Sequence, residues 1–156
     1  MTDIISFSSE LEILWYCLPK VLIATICGAI VGYDREKKNK VAGLRTNILI
    51  CVGASIFTIT SLLLAHYSNS DPTRILSTIV TGIGFLGGGV IMKTEDKIVG
   101  MTTAAFIWVV SAIGILCGMG ATATPILLTI GLIITSKFFE KVEKYIKEKN
   151  NEKKEN

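Results

Sequence analysis

The sequence predicts an all-α membrane protein, a bundle of five transmembrane helices with the N-terminus outside and the C-terminus in the cytoplasm. Half of the 156 residues are hydrophobic and the mean hydropathy is +0.55, which is high for a water-soluble domain of this size. Charged residues fall in short clusters between long uncharged runs, several of which are long enough to cross the hydrocarbon core of a bilayer. These runs also contain many glycines, which membrane helices tolerate well.

The uncharged run Ile75–Met92 is the most glycine-rich part of the chain. Its glycines lie within eight positions and are Gly82, Gly84, Gly87, Gly88 and Gly89. Each would cost roughly 1 kcal/mol relative to alanine in a water-exposed helix, whereas small residues allow membrane helices to approach closely. A helical projection separates Gly84 and Gly88 from Gly82 and Gly89. We therefore expect a central helix packed on two faces, in which the run Gly87–Gly89 is either a hinge or a packing element.

The five predicted spans are residues 13–33, 44–66, 74–92, 101–117 and 122–136. Segment 1–12 contains no Lys or Arg, so it lacks the basic region of a cleaved signal peptide. The spacings Gly28/Gly32 and Gly114/Gly118 predict helix-packing faces in the first and fourth spans. Asp71 and Pro72 have the residue types of an N-cap and a first helical residue.

Lys and Arg counts favour five crossings over four. With five spans, 14 of the 16 Lys and Arg residues fall on one side of the membrane and one on the other, while Lys20 lies within the first span. Four spans would place the lysine-rich tail on the side that has few cations. Because basic residues concentrate in the cytoplasm, the C-terminus is predicted to be cytoplasmic.

The tail 137–156 is predicted to be cytoplasmic. Its first part follows helical spacing, with Glu140–Lys144 and Glu143–Lys147 as possible i,i+4 ion pairs. It is therefore either an amphipathic helix against anionic lipid or an ordinary solvated helix end. Residues 150–156 are predicted to be disordered.

Several apparent motifs do not indicate an enzyme or a cofactor. Gly82–Gly87 matches GxGxxG, but a dinucleotide site requires that pattern between a strand and a helix. The four cysteines form no CxxC pair and lie in apolar stretches, so we interpret them as packing residues. His66 lies at a predicted span end without a nucleophile nearby. The sequence thus predicts no catalytic residue, cofactor or confident metal ligand, and its charge pattern favours a lipid bilayer rather than nucleic acid as the partner.

Polar residues at the span ends are the best functional candidates. Those expected to meet on the cytoplasmic side are Asp34, Arg35, Glu36, Arg45, Thr46, Thr102 and Thr103, joined by Lys93, Glu95 and Asp96. Asp71 and Arg74 are expected on the opposite side. Ionisable residues at membrane depth often mark functional sites, but helix-end salt bridges and topology determination explain such residues equally well. No compact acidic cage for a hard cation is visible.

Five motifs in this order closely resemble the MgtC/SapB family. They are GYDRE at Gly32–Glu36, AGLRT at Ala42–Thr46, DPTR at Asp71–Arg74, TGIGFLGGGVI at Thr81–Ile91, and GMTTAA at Gly100–Ala105 with Trp108. The resemblance covers about residues 19–120 and implies a multi-pass protein of the bacterial inner membrane. It also implies a role in adaptation to low magnesium or related stress, in a family whose members include virulence-associated proteins. Some members act by regulating partner membrane proteins, including the ATP synthase.

Two departures from the family pattern limit what the resemblance implies. The family usually has Glu where this chain has Asp34, and larger members carry a soluble ACT-type domain, so this chain resembles the short, SapB-like form. The main functional hypothesis is a non-enzymatic regulatory or accessory protein that acts through helix contacts with itself or another membrane protein. The alternative is a cation transporter or channel, for Mg²⁺, with Asp34, Glu36, Glu95 and Asp96 at its cytoplasmic mouth.

Overall fold

A computed structural model describes the backbone of residues 7–68, 70–95 and 97–155, in which the chain forms five α-helices and one short hairpin. The elements in order are α1 Phe7–Lys37, α2 Leu44–Ser68, α3 Thr73–Gly89, β1 Met92–Lys93, β2 Ile98–Val99, α4 Met101–Gly118 and α5 Ala123–Glu155. The predicted all-helical architecture is confirmed apart from the hairpin. Two strands of two residues each, separated by polar residues, carry too little pattern to be predicted from sequence.

Four of the five described helices, α1, α2, α4 and α5, have the length and composition of membrane-spanning helices. Helix α3 has 17 residues, which corresponds to about 26 Å of helix, slightly less than the ~30 Å hydrocarbon core. Helix α1 already begins at Phe7, inside the segment predicted to precede the membrane. Helix α5 continues to Glu155, so its backbone is helical beyond residue 150, where the sequence predicts disorder.

Helices α1, α2 and α4 pack closely because small residues line their contacts. A Cβ added to Gly28 would lie 2.8 Å from the carbonyl oxygen of Asn47, and one added to Gly32 would lie 2.7 Å from Cα of Leu44. Both positions therefore bring the backbones of α1 and α2 together without room for a side chain.

The contact between α2 and α4 is built in the same way. A Cβ on Gly114 would overlap the carbonyl oxygen of Cys51, and one on Gly118 would lie 2.6 Å from that of Ser55. Buried free cysteines from three helices, Cys27, Cys51 and Cys117, fill the core beside these glycines. Cysteine suits this position because it is a small apolar side chain.

Helix α3 is not the centre of the bundle, which corrects the prediction for Ile75–Met92. It packs against one side of α4 and α2, and an added Cβ at Gly82, Gly84 or Gly88 would meet nothing within 4 Å in the described chain. Of the glycines in this helix, only Gly87 is buried, beside Ala104 of α4. Glycine contributes little apolar surface, so the larger side chains of α1, α2 and α4 form the core instead.

The glycine run Gly87–Gly89 forms the end of α3 rather than a hinge within it. The amide of Val90 donates to the carbonyl of Gly87 at 3.3 Å, and that of Ile91 donates to Gly88 at 3.1 Å. These i→i+3 bonds tighten the last turn, as is common where a helix ends. The chain then enters the hairpin, in which Met92 pairs with Val99.

We expect Gly114→Ala to lower the free energy of unfolding by about 1–3 kcal/mol, because the added methyl group would force α2 and α4 apart. The matched control is Gly131→Ala in α5, where an added Cβ meets nothing within 4 Å. That variant is expected to keep the stability of the parent or to gain up to about 1 kcal/mol from helix propensity. Thermal unfolding in detergent micelles measures both, and equal midpoints would contradict the close contact.

Candidate functional site

The turn between α1 and α2 is organised by Glu36. Its Oε2 accepts a hydrogen bond of 2.9 Å from the backbone amide of Leu44, the first residue of α2. The carboxylate thereby satisfies an amide that has no partner within the helix, as an N-cap does. A Cβ on Gly43 would overlap the Glu36 carboxylate, so a larger residue there would require the flexible Glu36 side chain to shift.

Asn47 secures the same turn from inside the bundle, a role that the sequence prediction missed. Its side-chain amide is fully buried and donates to the carbonyls of Ala42 and Gly43 at 2.9 and 2.8 Å. A lone Asn in the first turns of an apolar span was the available signal, because such a polar group must find hydrogen-bond partners when buried.

Arg35 joins the GYDRE and GMTTAA motifs, which are far apart in sequence. Its side chain is only 3% exposed. Nη2 donates to Oγ1 of Thr103, 68 residues away, at 3.3 Å, and Cζ lies 4.1 Å from the centroid of the Phe106 ring. The structure thus brings together two of the predicted site residues, Arg35 and Thr103, and adds Phe106 through a cation–π contact.

Asp34 belongs to an ion-pair cluster that links α1 to α5. Nζ of Lys38 lies 3.0 Å from Oδ2 of Asp34 and 2.7 Å from Oε2 of Glu140. Burial lowers the pKa of Lys38, but the hydrogen bonds to Glu140 and Asp34 outweigh burial and raise the pKa above its ordinary value of 10.5. The predicted pair Glu140–Lys144 is therefore wrong, because Glu140 turns toward α1 instead.

The second ion pair predicted in the tail is confirmed. Nζ of Lys147 lies 2.6 Å from Oε1 of Glu143, while Lys144 lies 3.9 Å from Glu148. Helical spacing alone identified the first of these pairs, since both residues lie on one face of α5.

A cleft of about 340 Å³ lies beside Arg35, where α1, α4 and α5 meet. Its polar and charged lining residues are Arg35, Lys38, Lys40, Thr102, Thr135, Ser136, Glu140 and Glu143. The cleft collects two of the predicted site residues, Arg35 and Thr102, and adds hydroxyl and carboxylate residues from α5. The α5 residues were missed because the sequence analysis assigned residues 122–136 to a membrane span and 137–156 to a tail.

The remaining predicted site residues do not join Arg35. Arg45 and Thr46 are exposed at the start of α2, and Thr46 lines a separate apolar cavity of about 790 Å³ between α2 and α3. Glu95 and Lys93 are exposed near the hairpin, and Asp96 lies outside the described residues. Within the described part of the chain, no group of three or more His, Cys, Asp or Glu residues is arranged to hold a metal ion.

Asp71 lies two residues before the start of α3, near the opposite end of the bundle. Its Oδ1 accepts hydrogen bonds from the hydroxyl and the amide of Thr73, at 2.7 and 2.9 Å. The helix begins at Thr73 rather than at the predicted Pro72. The side chain of Arg74 is exposed, and its amide donates to the backbone carbonyl of Asp71 at 3.4 Å.

We expect Glu36→Ala to lower the free energy of unfolding by about 1 kcal/mol, the usual cost of losing a helix cap. The control is Glu95→Ala, which removes an exposed carboxylate from the hairpin and should leave the unfolding midpoint unchanged. Thermal unfolding in detergent distinguishes the two, and equal midpoints would show that Glu36 does not stabilise the turn.

We expect Asp71 to titrate below its ordinary pKa of 3.8, chiefly because of the hydrogen bond from the Thr73 hydroxyl and then that from the Thr73 amide. A lowered folded-state pKa means that this contribution to stability is present above pH 3.8 and is lost as the pH falls through the lowered value. Thr73→Val should move the pKa back toward 3.8, whereas Thr73→Ser should keep it low. Carboxyl ¹³C NMR titration measures the shift, and an unchanged pKa in Thr73→Val would contradict the assignment.

Comparison with known proteins identifies the chain's relatives. The MgtC family model matches residues 21–145. An uncharacterized protein of Synechocystis is 40% identical over 119 residues, which are 76% of this chain and 50% of that protein. Proteins named MgtC from Brucella abortus and Salmonella typhimurium are 41% and 42% identical over 110 residues, each covering 70% of this chain and 45% or 46% of the relative.

The chain spans about half the length of these curated relatives. No solved structure matches it. The family match covers most of the chain and includes the α1–α2 turn, the Arg35–Thr103 contact and the ion-pair cluster. The chain belongs to the MgtC family.

Proposed function

We propose that this chain is a five-span protein of the bacterial inner membrane, with its N-terminus outside and its C-terminus in the cytoplasm. The distribution of Lys and Arg supports this topology, because five spans place nearly all of them on one side. In this topology helix α3 crosses the membrane as well, in addition to the four helices that have the length and composition of membrane spans. Its C-terminal half exposes large apolar side chains, with Phe85 at 83% and Leu86 at 51% exposed, as expected for contact with lipid or with another membrane helix.

The protein acts as a non-enzymatic regulatory or accessory protein in adaptation to low magnesium or related stress. Membership of the MgtC family supports this role, since relatives named MgtC share about half of their length with this chain. Its action proceeds through helix contacts, either with a second copy or with another membrane protein.

The glycine face of α3 is the observation that carries this proposal. Gly84 and Gly88 lie four residues apart, and an added Cβ at either position would meet nothing within 4 Å in the described chain. Small residues at this spacing let the backbone of another helix approach closely, which supports association where hydrophobic burial gives little driving force between helices. The small-residue faces of α1 and α4 are already occupied within the bundle, whereas Gly84 and Gly88 of α3 meet none of the described residues.

Cross-linking in native membranes tests the proposal. We expect the parent chain to form cross-linked species and Gly84→Leu to reduce them by about tenfold, equivalent to about 1.4 kcal/mol of association energy. Because the position is open, Gly84→Leu should keep the parent's yield and unfolding midpoint. Gly131→Leu is the matched control, since it adds the same side chain at another open glycine, and it should leave the cross-links unchanged.

Two results would overturn the proposal. One is a parent chain that remains monomeric in native membranes and retains no membrane protein on affinity purification. The other is Mg²⁺ flux through liposomes containing the purified chain, above that of empty liposomes and reduced by the double change Asp34→Asn and Glu36→Gln. That flux would establish a cation transporter. In the structure these carboxylates are engaged elsewhere, Asp34 with Lys38 and Glu36 with the amide of Leu44.

A further inference from the structure

The cleft beside Arg35 has cations in excess of the carboxylates available to them. Both carboxylates that line it have partners, Glu140 with Lys38 at 2.7 Å and Glu143 with Lys147 at 2.6 Å. Lys38 is further committed to Asp34 at 3.0 Å. In the part of the chain that the structure describes, the other two lining cations, Arg35 and Lys40, make no ion pair.

Arg35 is the less satisfied of these two cations. Its side chain is 97% buried, since only 3% is exposed, and its Nε has no hydrogen-bond partner in the described chain. Its side chain makes one hydrogen bond of 3.3 Å to Thr103 and stacks on Phe106, while the carboxylates of Asp34 and Glu140 favour its charge from beyond ion-pair distance. A buried charge is normally paired and its donors are normally hydrogen-bonded, because removing them from water is costly. Among the described residues, the Nε donor of Arg35 is therefore left without an acceptor.

The other lining groups match an oxyanion with several acceptor oxygens. Hydroxyls of Thr102, Thr135 and Ser136 surround the cleft, and the exposed Lys40 adds a cation. Guanidinium groups bind phosphate through parallel N–H bonds, and lysine and hydroxyl groups complete many such sites. The volume of about 340 Å³ is within the range of small-ligand sites.

We infer that the cleft between α1, α4 and α5 binds a phosphate group, with the guanidinium of Arg35 at its base and the ammonium of Lys40 at its rim. The phosphate belongs either to a soluble ion or ester or to the headgroup of an anionic phospholipid. The cleft lies at the end of the bundle where α1 ends at Lys37, which is also the end that the proposed topology places at the inner leaflet. The site does not involve α3, so it is independent of the helix contacts proposed above.

Thermal unfolding of the full chain in dodecyl maltoside micelles tests the site with two phosphate sources. One arm titrates inorganic phosphate against chloride at constant ionic strength. The other titrates phosphatidylglycerol against diacylglycerol with the same acyl chains, a lipid that lacks the phosphate. Ligand binding to the folded state raises the midpoint in a concentration-dependent way and yields an apparent Kd. A rise in the first arm identifies a soluble phosphate ligand, and a rise in the second alone identifies a lipid headgroup.

Lys40→Gln is the principal variant, because Lys40 is exposed and its replacement should not affect folding. We expect it to raise the apparent Kd about tenfold, as for the loss of one charge-assisted hydrogen bond. Arg45→Gln is the matched control, since it removes an exposed charge on α2 that does not line the cleft, and it should leave the Kd unchanged. Arg35→Gln should abolish the midpoint rise if it folds.

The site is refuted if neither phosphate source raises the midpoint above its matched reference. It is also refuted if Arg45→Gln weakens binding as much as Lys40→Gln, because that result indicates non-specific attraction to positive charge. Should Arg35→Gln fail to fold, the comparison of Lys40→Gln with Arg45→Gln decides the question without it.

Discussion

The close approach of α1 to α2 is the constraint on which the rest of the structure depends. Gly28 and Gly32 allow the backbone of α1 to lie directly against that of α2 at Asn47 and Leu44. Only at this distance does the carboxylate of Glu36 reach the amide of Leu44, 8 residues further along the chain. The backbone contact of Gly28 and Gly32 with α2 thus determines the turn between the two helices. The Glu36 carboxylate and the buried Asn47 amide then hold that turn in place.

That contact also determines the position of the charged residues that follow Gly32. Once α1 is held against α2, and α2 against α4 through Gly114 and Gly118, the side chain of Arg35 is directed toward Thr103 and Phe106. Lys38, one turn further along, reaches both Asp34 and Glu140 and so connects α5 to the bundle. A rigid apolar bundle therefore carries a polar end, in which one buried guanidinium is not neutralised by an ion pair with any described residue. A guanidinium has the donor geometry to pair with a carboxylate or a phosphate group.

Helix α3 stands apart from this arrangement. It contacts α4 and α2, and its remaining surface includes open glycines and large exposed side chains such as Phe85. The bundle formed by α1, α2 and α4 does not require those glycines for its own packing. Because the α3 glycines are open, they are available to another helix, unlike the glycines that bring α1, α2 and α4 together. Substitution of the packed glycines of α1 and α4 is therefore expected to alter stability, whereas substitution of the open glycines of α3 is expected to alter association with another helix.

The sequence by itself determined the helical membrane fold and the approximate positions of the helices, because hydropathy is a local property of the chain. It also identified the packing faces at Gly28/Gly32 and Gly114/Gly118 from their spacing. The order of its motifs identified the family. It also indicated Arg35 and Thr103 as polar residues at one end of the bundle.

Only the tertiary structure decided which small-residue faces are occupied. Gly84 and Gly88 of α3 have the same four-residue spacing as Gly28 and Gly32 of α1, yet only the pair in α1 meets a neighbouring backbone. It likewise decided that Arg35 contacts Thr103 and that Glu140 pairs with Lys38 rather than with Lys144. Periodicity identifies the face on which a residue lies, whereas the neighbour of that face depends on how the helices pack together, which involves residues far apart in sequence.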